Sequence, residues 1–143
     1  MNRSITLLLA KLALVLSSQE ADAFCFREAA LRYGVSEVLL QAIARAESAM
    51  NPTALNRNAD GTEDIGLMQI NSSWLPKLRR YGITRAALFD ACVNGYVGTW
   101  ILASNIRQFG PTWKAVGAYN AVSTNRQLVY ANTIYQRIQR AAH

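Results

Sequence analysis

The sequence predicts a single all-α domain, and three observations lead to that fold class. The chain has 143 residues, a length that allows one domain and leaves little room for a second. It is 51% hydrophobic and 17% charged, so it has the apolar residues for a core that a disordered chain lacks. After residue 23, apolar residues recur with the 3.6-residue period of helices, and alternating β-branched runs are missing.

The first 23 residues are typical of an export signal. Arg3 gives a short basic start, residues 5–16 are mostly apolar apart from Lys11, and residues 21–23 form an Ala-Asp-Ala cleavage pattern. A membrane-spanning helix needs about 20 apolar residues, which is more than this run supplies. We therefore predict a signal peptide at 1–23, cleaved after Ala23, and one domain over 24–143; an uncleaved anchor is the alternative.

Two helices are predicted at the start of the domain. The first covers residues 24–33 and ends at Gly34, because glycine suits a left-handed cap. Ser36 caps the second, which ends at Asn51-Pro52. The residues of the second helix predicted to face inward are Val38, Leu39, Ala42, Ile43 and Ala46.

Short elements are predicted next. Residues 53–64 are polar and contain Asp60-Gly61, which favours a loop or a small hairpin. Short helices are expected over 66–71 and over 74–81, the latter ended by Gly82, and Thr84 caps a third short piece.

Three longer helices complete the domain. The longest apolar segment covers residues 92–109, where Gly95 and Gly98 weaken a helix unless another backbone packs closely against them. Thr112 caps the next helix, over 113–121, and the last covers 127–140.

The two cysteines, Cys25 and Cys92, are predicted to form one disulfide. An even pair of cysteines in a small exported domain is typical of a disulfide, and two buried thiols are the alternative. Such a bond closes a loop that the chain-entropy estimate values at roughly 4 kcal/mol.

The composition excludes several kinds of chemistry. With one histidine, His143, and two cysteines, a His/Cys metal site or a Ser-His-Asp triad has no candidates. No glycine-rich phosphate-binding motif occurs, so no cofactor or metal is predicted. The net charge of +6 suits an acidic partner, yet the basic residues are dispersed, which argues against nucleic acid. A single cluster, Lys77, Arg79 and Arg80, is either a solvated surface or a docking site.

Glu47 is the leading candidate for catalysis. It lies four residues after Ile43 and eight after Leu39, so it extends an apolar row of the second helix. It also lies in the last turn, where the helix dipole disfavours a negative charge. Burial and the dipole both raise a carboxyl pKa, as a general acid near neutral pH requires. A solvated glutamate at a frayed helix end is the alternative that spacing leaves open.

Three short motifs occur along the domain. They are Glu47-Ser48, then Gly-Leu-Met-Gln-Ile-Asn at 66–71, then Ala-Tyr-Asn at 118–120. In this order they resemble the catalytic domain of family-1, Slt-like lytic transglycosylases over nearly all of residues 24–140. The resemblance is closest to the small, single-domain members that accompany type III secretion systems, type IV pili and conjugation machines. It implies a lysozyme-like, goose-type fold with at most a vestigial β-hairpin, and it implies a monomer.

The resemblance also assigns roles to residues. It makes Glu47 the single acid and base of peptidoglycan cleavage, with the Ser48 hydroxyl orienting it or bonding the helix end. Gly66 would let a sugar approach the backbone, and Asn120 would contact an N-acetyl group. For Tyr130, a place near the acid and a place in the core are both open. The implied substrate-binding residues are Ser48, Gly66, Met68, Gln69, Tyr119, Asn120 and Tyr130.

Residues 58–72 resemble the active-site hairpin of C-type lysozymes, and this supplies a second carboxylate. Asp64 matches the position of that carboxylate, and it follows Glu47 at the same chain separation as in the lysozymes. The resemblance therefore implies the division of roles known for lysozyme, in which one carboxyl is the acid and the second stays ionised. A turn residue that bonds local amides is the alternative. One departure from the transglycosylase pattern is Val122, which follows Ala121 where a glycine and a longer loop are usual.

The predicted function is a periplasmic peptidoglycan lytic transglycosylase. It would cleave the MurNAc-GlcNAc β-1,4 bond, form 1,6-anhydromuramic acid, and open the wall locally for a secretion, pilus or conjugation apparatus. Its partners would be glycan strands and components of that apparatus. The alternatives are a lysozyme-type muramidase assisted by Asp64 and a non-catalytic wall-binding assembly factor.

Overall fold

The computed structural model describes residues 24–143, and the predicted signal peptide lies outside them. Helices dominate this part of the chain, so the predicted all-α class is confirmed. The helices are α1 (Phe26–Tyr33), α2 (Glu37–Ser48), α3 (Leu75–Leu78), α4 (Ala91–Phe109), α5 (Trp113–Asn120) and α6 (Thr124–Ala141). Short 3-10 turns lie at Ser72–Trp74, Arg79–Tyr81 and Ala86–Phe89, and the strands are β1 (Leu55–Arg57), β2 (Glu63–Ile65) and β3 (Ile70–Asn71).

The three strands form one antiparallel sheet in the order β1-β2-β3. In its register Leu55 pairs with Ile65, and Asp64 pairs with Asn71. The hairpin expected within 53–64 is present as β1 and β2, but the helix predicted over 66–71 is wrong. Gly66 and Gln69 have positive φ values of 76° and 52°, which a right-handed helix excludes. Each strand has two or three residues, too few for a period of two to be visible.

Helix α4 forms the centre of the core, where it contacts α1, α5 and β3. Its glycines sit where neighbours come closest. A Cβ at Gly95 would lie 2.7 Å from the Phe24 carbonyl oxygen, so the expected close approach of another backbone is confirmed there. At Gly98 the close neighbour is the Met68 side chain, which occupies the space that a Cβ would need.

The predicted disulfide is confirmed: Cys25 and Cys92 are bonded across 67 residues of sequence. Cys25 precedes α1, and Cys92 lies in the first turn of α4. The bond therefore fixes the start of the domain to the helix at the centre of its core.

The buried face of α2 differs from the prediction in one respect. Leu40 is fully buried and Val38 is 57% exposed, so the inward assignment of Val38 is wrong. The buried stripe follows Leu40, Ile43, Ala44 and Glu47, a spacing of three and four residues that defines one helix face. Glu47 thus extends the buried face, as its spacing from Ile43 indicated.

The predicted caps have mixed outcomes. Ser36 accepts from the Leu39 amide at 3.4 Å and Thr84 from the Ala87 amide at 3.2 Å, which confirms both. The Thr112 hydroxyl instead donates to the Phe109 carbonyl. Helix α6 begins at Thr124, three residues before its predicted start at Gln127. None of the helices within 24–143 is long and apolar enough to cross a membrane.

Candidate active site

Glu47 lies mostly buried in the last turn of α2, beside the side chain of Tyr130 from α6. The Tyr130 hydroxyl donates a hydrogen bond to Glu47 Oε1 at 2.5 Å. Burial raises the pKa of Glu47 because it disfavours the charged carboxylate. Hydrogen bonds from Tyr130 and Asn120 oppose this shift, and the nearby charge of Asp64 adds to it. Overall the pKa of Glu47 is raised, so this carboxyl keeps its proton at pH values where an ordinary glutamate has begun to lose it.

A cleft of about 450 Å³ opens at Glu47. Its walls come from the β-sheet, from the 3-10 turn before α3 and from α4, α5 and α6. The residues that line it are Glu47, Asn58, Asp60, Thr62, Asp64, Gln69, Ile70, Asn71, Trp74, Ile101, Tyr119, Asn120 and Arg126. The predicted residues Glu47, Asp64, Gln69, Tyr119 and Asn120 thus meet in one cleft, and Tyr130 touches it through Glu47.

Asp64 lies on β2 and holds both of its carboxylate oxygens in amide hydrogen bonds. Asn71 Nδ2 donates to Oδ1 at 2.8 Å, and Asn58 Nδ2 donates to Oδ2 at 2.9 Å. These are side chains of neighbouring strands and of the loop after β1, so local amides do bind Asp64, as one alternative expected. They also fix a carboxylate in the same cleft as Glu47. Its catalytic role stays a prediction.

The turn over residues 66–69 borders the cleft, but only some of its side chains face the cleft. Met68 is 0% exposed and packs on Gly98, so the substrate-binding role that the resemblance implied for its side chain is wrong. Gly66 is required by its positive φ and by close contact with the Leu88 carbonyl and the Asn94 amide. Protein atoms, rather than a sugar, occupy the space that its missing side chain leaves.

Two predicted substrate-binding residues bond to this turn. The Ser48 hydroxyl donates to the Leu67 carbonyl at 2.6 Å and accepts from the Asn51 amide at 3.1 Å. It therefore bonds the helix end, the alternative to orienting Glu47. The Tyr119 hydroxyl donates to the Met68 carbonyl at 2.8 Å, and burial raises its pKa well above its usual value. Tyr119 thus contributes its ring, and a neutral hydroxyl, to the cleft wall.

The sequence reasoning missed Asn94, Trp74 and Arg126. Asn94 is completely buried, and it bonds the Met68 amide at 2.7 Å, the Ile65 carbonyl at 2.8 Å and the Leu88 carbonyl at 2.7 Å. Its signal was a polar residue within the longest apolar segment, one turn before Gly98. Trp74 packs edge-on against Trp100 with ring centroids 5.6 Å apart, and it is partly exposed where it lines the cleft.

The donor set of this region suits organic acid–base chemistry. Across residues 24–143, no three His, Cys, Asp or Glu side chains are grouped as a metal site would need. The cleft instead combines a carboxyl with a raised pKa, a tyrosine donor to it and a second carboxylate. This arrangement is of the type that glycoside-cleaving sites use, in which one carboxyl is kept protonated beside a second, ionised carboxylate.

Comparison with known proteins gives the family. Residues 24–137 match the family described as the transglycosylase SLT domain, and the chain belongs to this family. The membership confirms the predicted enzyme class, a lytic transglycosylase.

Similar proteins come from several bacteria. The invasion protein IagB of Salmonella typhimurium is 44% identical over 108 residues, which are 75% of this chain and 68% of that protein. Protein IpgF of Shigella flexneri is 37% identical over 123 residues, which are 82% of this chain and 81% of that protein.

One solved structure, an inactive mutant of the lytic transglycosylase Slt from Pseudomonas aeruginosa, superposes with a TM-score of 0.64 at 22% identity. It covers 79% of this chain, which corresponds to 22% of that longer chain. At this identity the match shows the fold alone, and it confirms the predicted lysozyme-like, Slt-type fold.

Replacing Tyr130 with Phe is expected to move the pH dependence of activity upward. The hydroxyl bond favours the ionised form of Glu47, so its removal raises the pKa of Glu47 further. The alkaline limb of a kcat/KM profile follows loss of the general-acid proton and therefore shifts to higher pH. We also expect kcat to fall about 10- to 100-fold, because the carboxyl loses the donor that positions it.

The matched control is Tyr135→Phe on the same helix, which removes a hydroxyl outside the cleft lining and should leave the profile unchanged. An alkaline limb that moves to lower pH in Tyr130→Phe would contradict the role given to this hydroxyl.

Proposed function

We propose that this chain is a peptidoglycan lytic transglycosylase that cleaves the MurNAc-GlcNAc β-1,4 bond and leaves 1,6-anhydromuramic acid. The observation that carries the proposal is the mostly buried Glu47, whose pKa is raised and whose Oε1 accepts from Tyr130. One carboxyl that is protonated at the start can serve as acid and then as base within a single turnover.

In the first step, the Glu47 proton moves to the glycosidic oxygen as the bond from that oxygen to C1 of the muramyl sugar breaks. GlcNAc leaves with a hydroxyl, and positive charge develops at C1. The oxygen of the muramyl N-acetyl group stabilises this charge from within the substrate. The Tyr130 hydroxyl supports the Glu47 carboxylate that results.

In the second step, the Glu47 carboxylate takes the proton of the muramyl C6 hydroxyl, and O6 forms a bond to C1. The product is the 1,6-anhydro ring, and Glu47 is protonated again. No water is consumed and no cofactor takes part. The attack is intramolecular, so a high effective concentration of the nucleophile lowers the barrier.

Three observations support a proposal for the wider biological role. The sequence carries an export-signal pattern, the disulfide between Cys25 and Cys92 suits an oxidising compartment, and two similar proteins are IagB, named an invasion protein, and IpgF. We propose that the chain is exported to the periplasm, with its signal cleaved after Ala23. There it opens the wall locally for a secretion, pilus or conjugation apparatus.

A muramidase that hydrolyses the same bond is the second candidate, and Asp64 is the observation that favours it. This carboxylate lies in the cleft, oriented by Asn58 and Asn71, where it could assist attack by water. Only the fate of the muramyl C1 separates the two reactions, since both use Glu47 as the acid.

A digest of purified sacculi in water enriched in oxygen-18 separates the two candidates. For transglycosylation, we expect anhydro-muropeptides that are one water lighter than reducing products and carry no label. In Asp64→Asn we expect the same products, formed less than about tenfold more slowly, which is less than about 1.4 kcal/mol.

The matched control is Asp90→Asn, which alters a helix cap outside the cleft and keeps a residue that caps equally well. Labelled reducing ends that vanish in Asp64→Asn would establish the muramidase in place of the transglycosylase.

A further inference from the structure

The charges that line the cleft are unevenly distributed. Glu47 comes from α2, while Asp60 and Asp64 come from the hairpin of β1 and β2. Among the lining residues that the structure describes, Arg126 on α6 is the one cation. A negatively charged ligand is therefore repelled near the hairpin and attracted near the start of α6.

The side chain of Arg126 is exposed to solvent at the edge of the cleft, and no ion pair within the described residues uses its charge. Within residues 24–143, the ion pairs join Arg57 and Arg85 to Glu63, and Arg126 takes part in none of them. It lies in the first turn of α6, which contains no acidic residue. The positive end of the helix dipole also disfavours a cation at this position, an effect that solvent weakens because the side chain is exposed.

Neighbouring contacts fix the backbone that carries Arg126. The side chain of Gln127 donates from Nε2 to the Ala121 carbonyl at 2.9 Å and to the Val122 carbonyl at 3.1 Å. The Gln127 backbone also packs directly against Gly117 of α5, where a Cβ would not fit. The first turn of α6 is thereby held against the helix that supplies Tyr119 and Asn120 to the cleft.

We propose that Arg126 binds a carboxylate of the glycan and so orients the muramyl residue in the cleft. This inference rests on the proposed function, because muramic acid is the sugar of the wall that bears carboxylates and its GlcNAc neighbour is neutral. A guanidinium suits this ligand, since its planar pair of N–H groups matches two carboxylate oxygens. The carboxylate belongs either to the lactyl group or to the stem peptide.

Three forms of one substrate test the proposal. Intact sacculi carry stem-peptide carboxylates and have their lactyl groups amide-linked. Strands stripped of stems by an amidase carry free lactyl carboxylates. The same stripped strands, coupled to methylamine with a carbodiimide, carry a neutral amide at that place. The readout is kcat/KM on each form for wild type, Arg126→Gln and Arg126→Lys.

Arg126→Gln is expected to lose about tenfold in kcat/KM on a carboxylate-bearing form and less than about twofold on the amidated strands. Arg126→Lys should keep part of the preference for carboxylate-bearing forms, because lysine retains the charge but lacks the planar pair of N–H groups. A loss confined to stripped strands assigns the lactyl carboxylate, and one confined to intact sacculi assigns the stem. Arg140→Gln is the matched control, since it removes one charge from the same helix outside the cleft.

Three results would overturn the proposal: an equal loss on all three forms, no loss on either carboxylate-bearing form, or an equal loss in Arg140→Gln. These outcomes differ from failure of the proposed function. In that case, wild type would cleave none of the three forms.

Discussion

Replacing Glu47 with Gln is expected to lower kcat on peptidoglycan by about 100- to 10,000-fold, which is the usual contribution of proton transfer by a placed acid. Gln keeps the shape of the side chain and can still accept from Tyr130, but it has no proton to give and cannot take one back. The measurement is the rate of release of soluble muropeptides from purified sacculi. If the chain were a non-catalytic wall-binding factor, neither wild type nor Glu47→Gln would release muropeptides, and the two would bind the wall equally well.

The same substitution should stabilise the fold at neutral pH. The pKa of Glu47 is raised in the folded state above its ordinary value of 4.5, so the folded chain holds the proton more tightly than the unfolded chain. The stability this provides is present below pH 4.5 and is lost as pH rises through the folded pKa. Glu47→Gln avoids that loss, so its free energy of unfolding should exceed that of wild type at pH 7 and the difference should shrink at pH 4.

The control for both measurements is Glu37→Gln, at the other end of α2. It should retain wild-type activity and show no comparable gain in stability. Full activity in Glu47→Gln would remove the proposed acid, whereas a drop in stability at pH 7 would contradict the burial argument.

Replacing Asn94 with Ala is expected to cost about 3–5 kcal/mol of unfolding free energy, because each buried polar group left without a partner costs about 1–3 kcal/mol. Three backbone groups lose their partner at once: the Met68 amide and the carbonyls of Ile65 and Leu88. The measurement is urea denaturation followed by circular dichroism, with the midpoint and the slope fitted separately.

Asn105→Ala provides the comparison on the same helix. Asn105 makes one hydrogen bond, to the Ala115 carbonyl at 3.3 Å, and is partly exposed. We expect a cost of about 1 kcal/mol there. Equal costs at the two sites would show that the three hydrogen bonds of Asn94 are not what holds the turn.

The sequence predicted the helical frame and the inward position of Glu47 because both follow from local rules, whereas the acid role of Glu47 came from the resemblance to transglycosylases. Helix periodicity, caps and glycine ends are properties of neighbouring residues, and they placed Glu47 on the inner face of α2. The disulfide was likewise predictable, since two cysteines in an exported domain leave a single pairing. The error at Val38 arose because periodicity gives a face only to within about one residue.

The 66–71 motif shows where local reasoning fails. Its apolar residues suggested a helix, and the resemblance suggested that Met68 binds substrate, yet Met68 packs on Gly98 and the backbone of Ile65 and Met68 bonds to Asn94. Both partners lie about 30 residues later in the chain, so tertiary contacts decide the conformation. Arg126 was missed for the same reason, because only the packing of α6 on α5 brings it to the cleft.

Helices α2, α4 and α5 are all hydrogen-bonded to one short stretch of chain around 65–69, through Ser48, Asn94 and Tyr119. These three helices cannot move apart at the cleft without breaking the hydrogen bonds that they share with this stretch. We therefore expect these three walls to keep their relative positions when a glycan strand binds, so that the sugar ring takes up most of the distortion that the reaction requires.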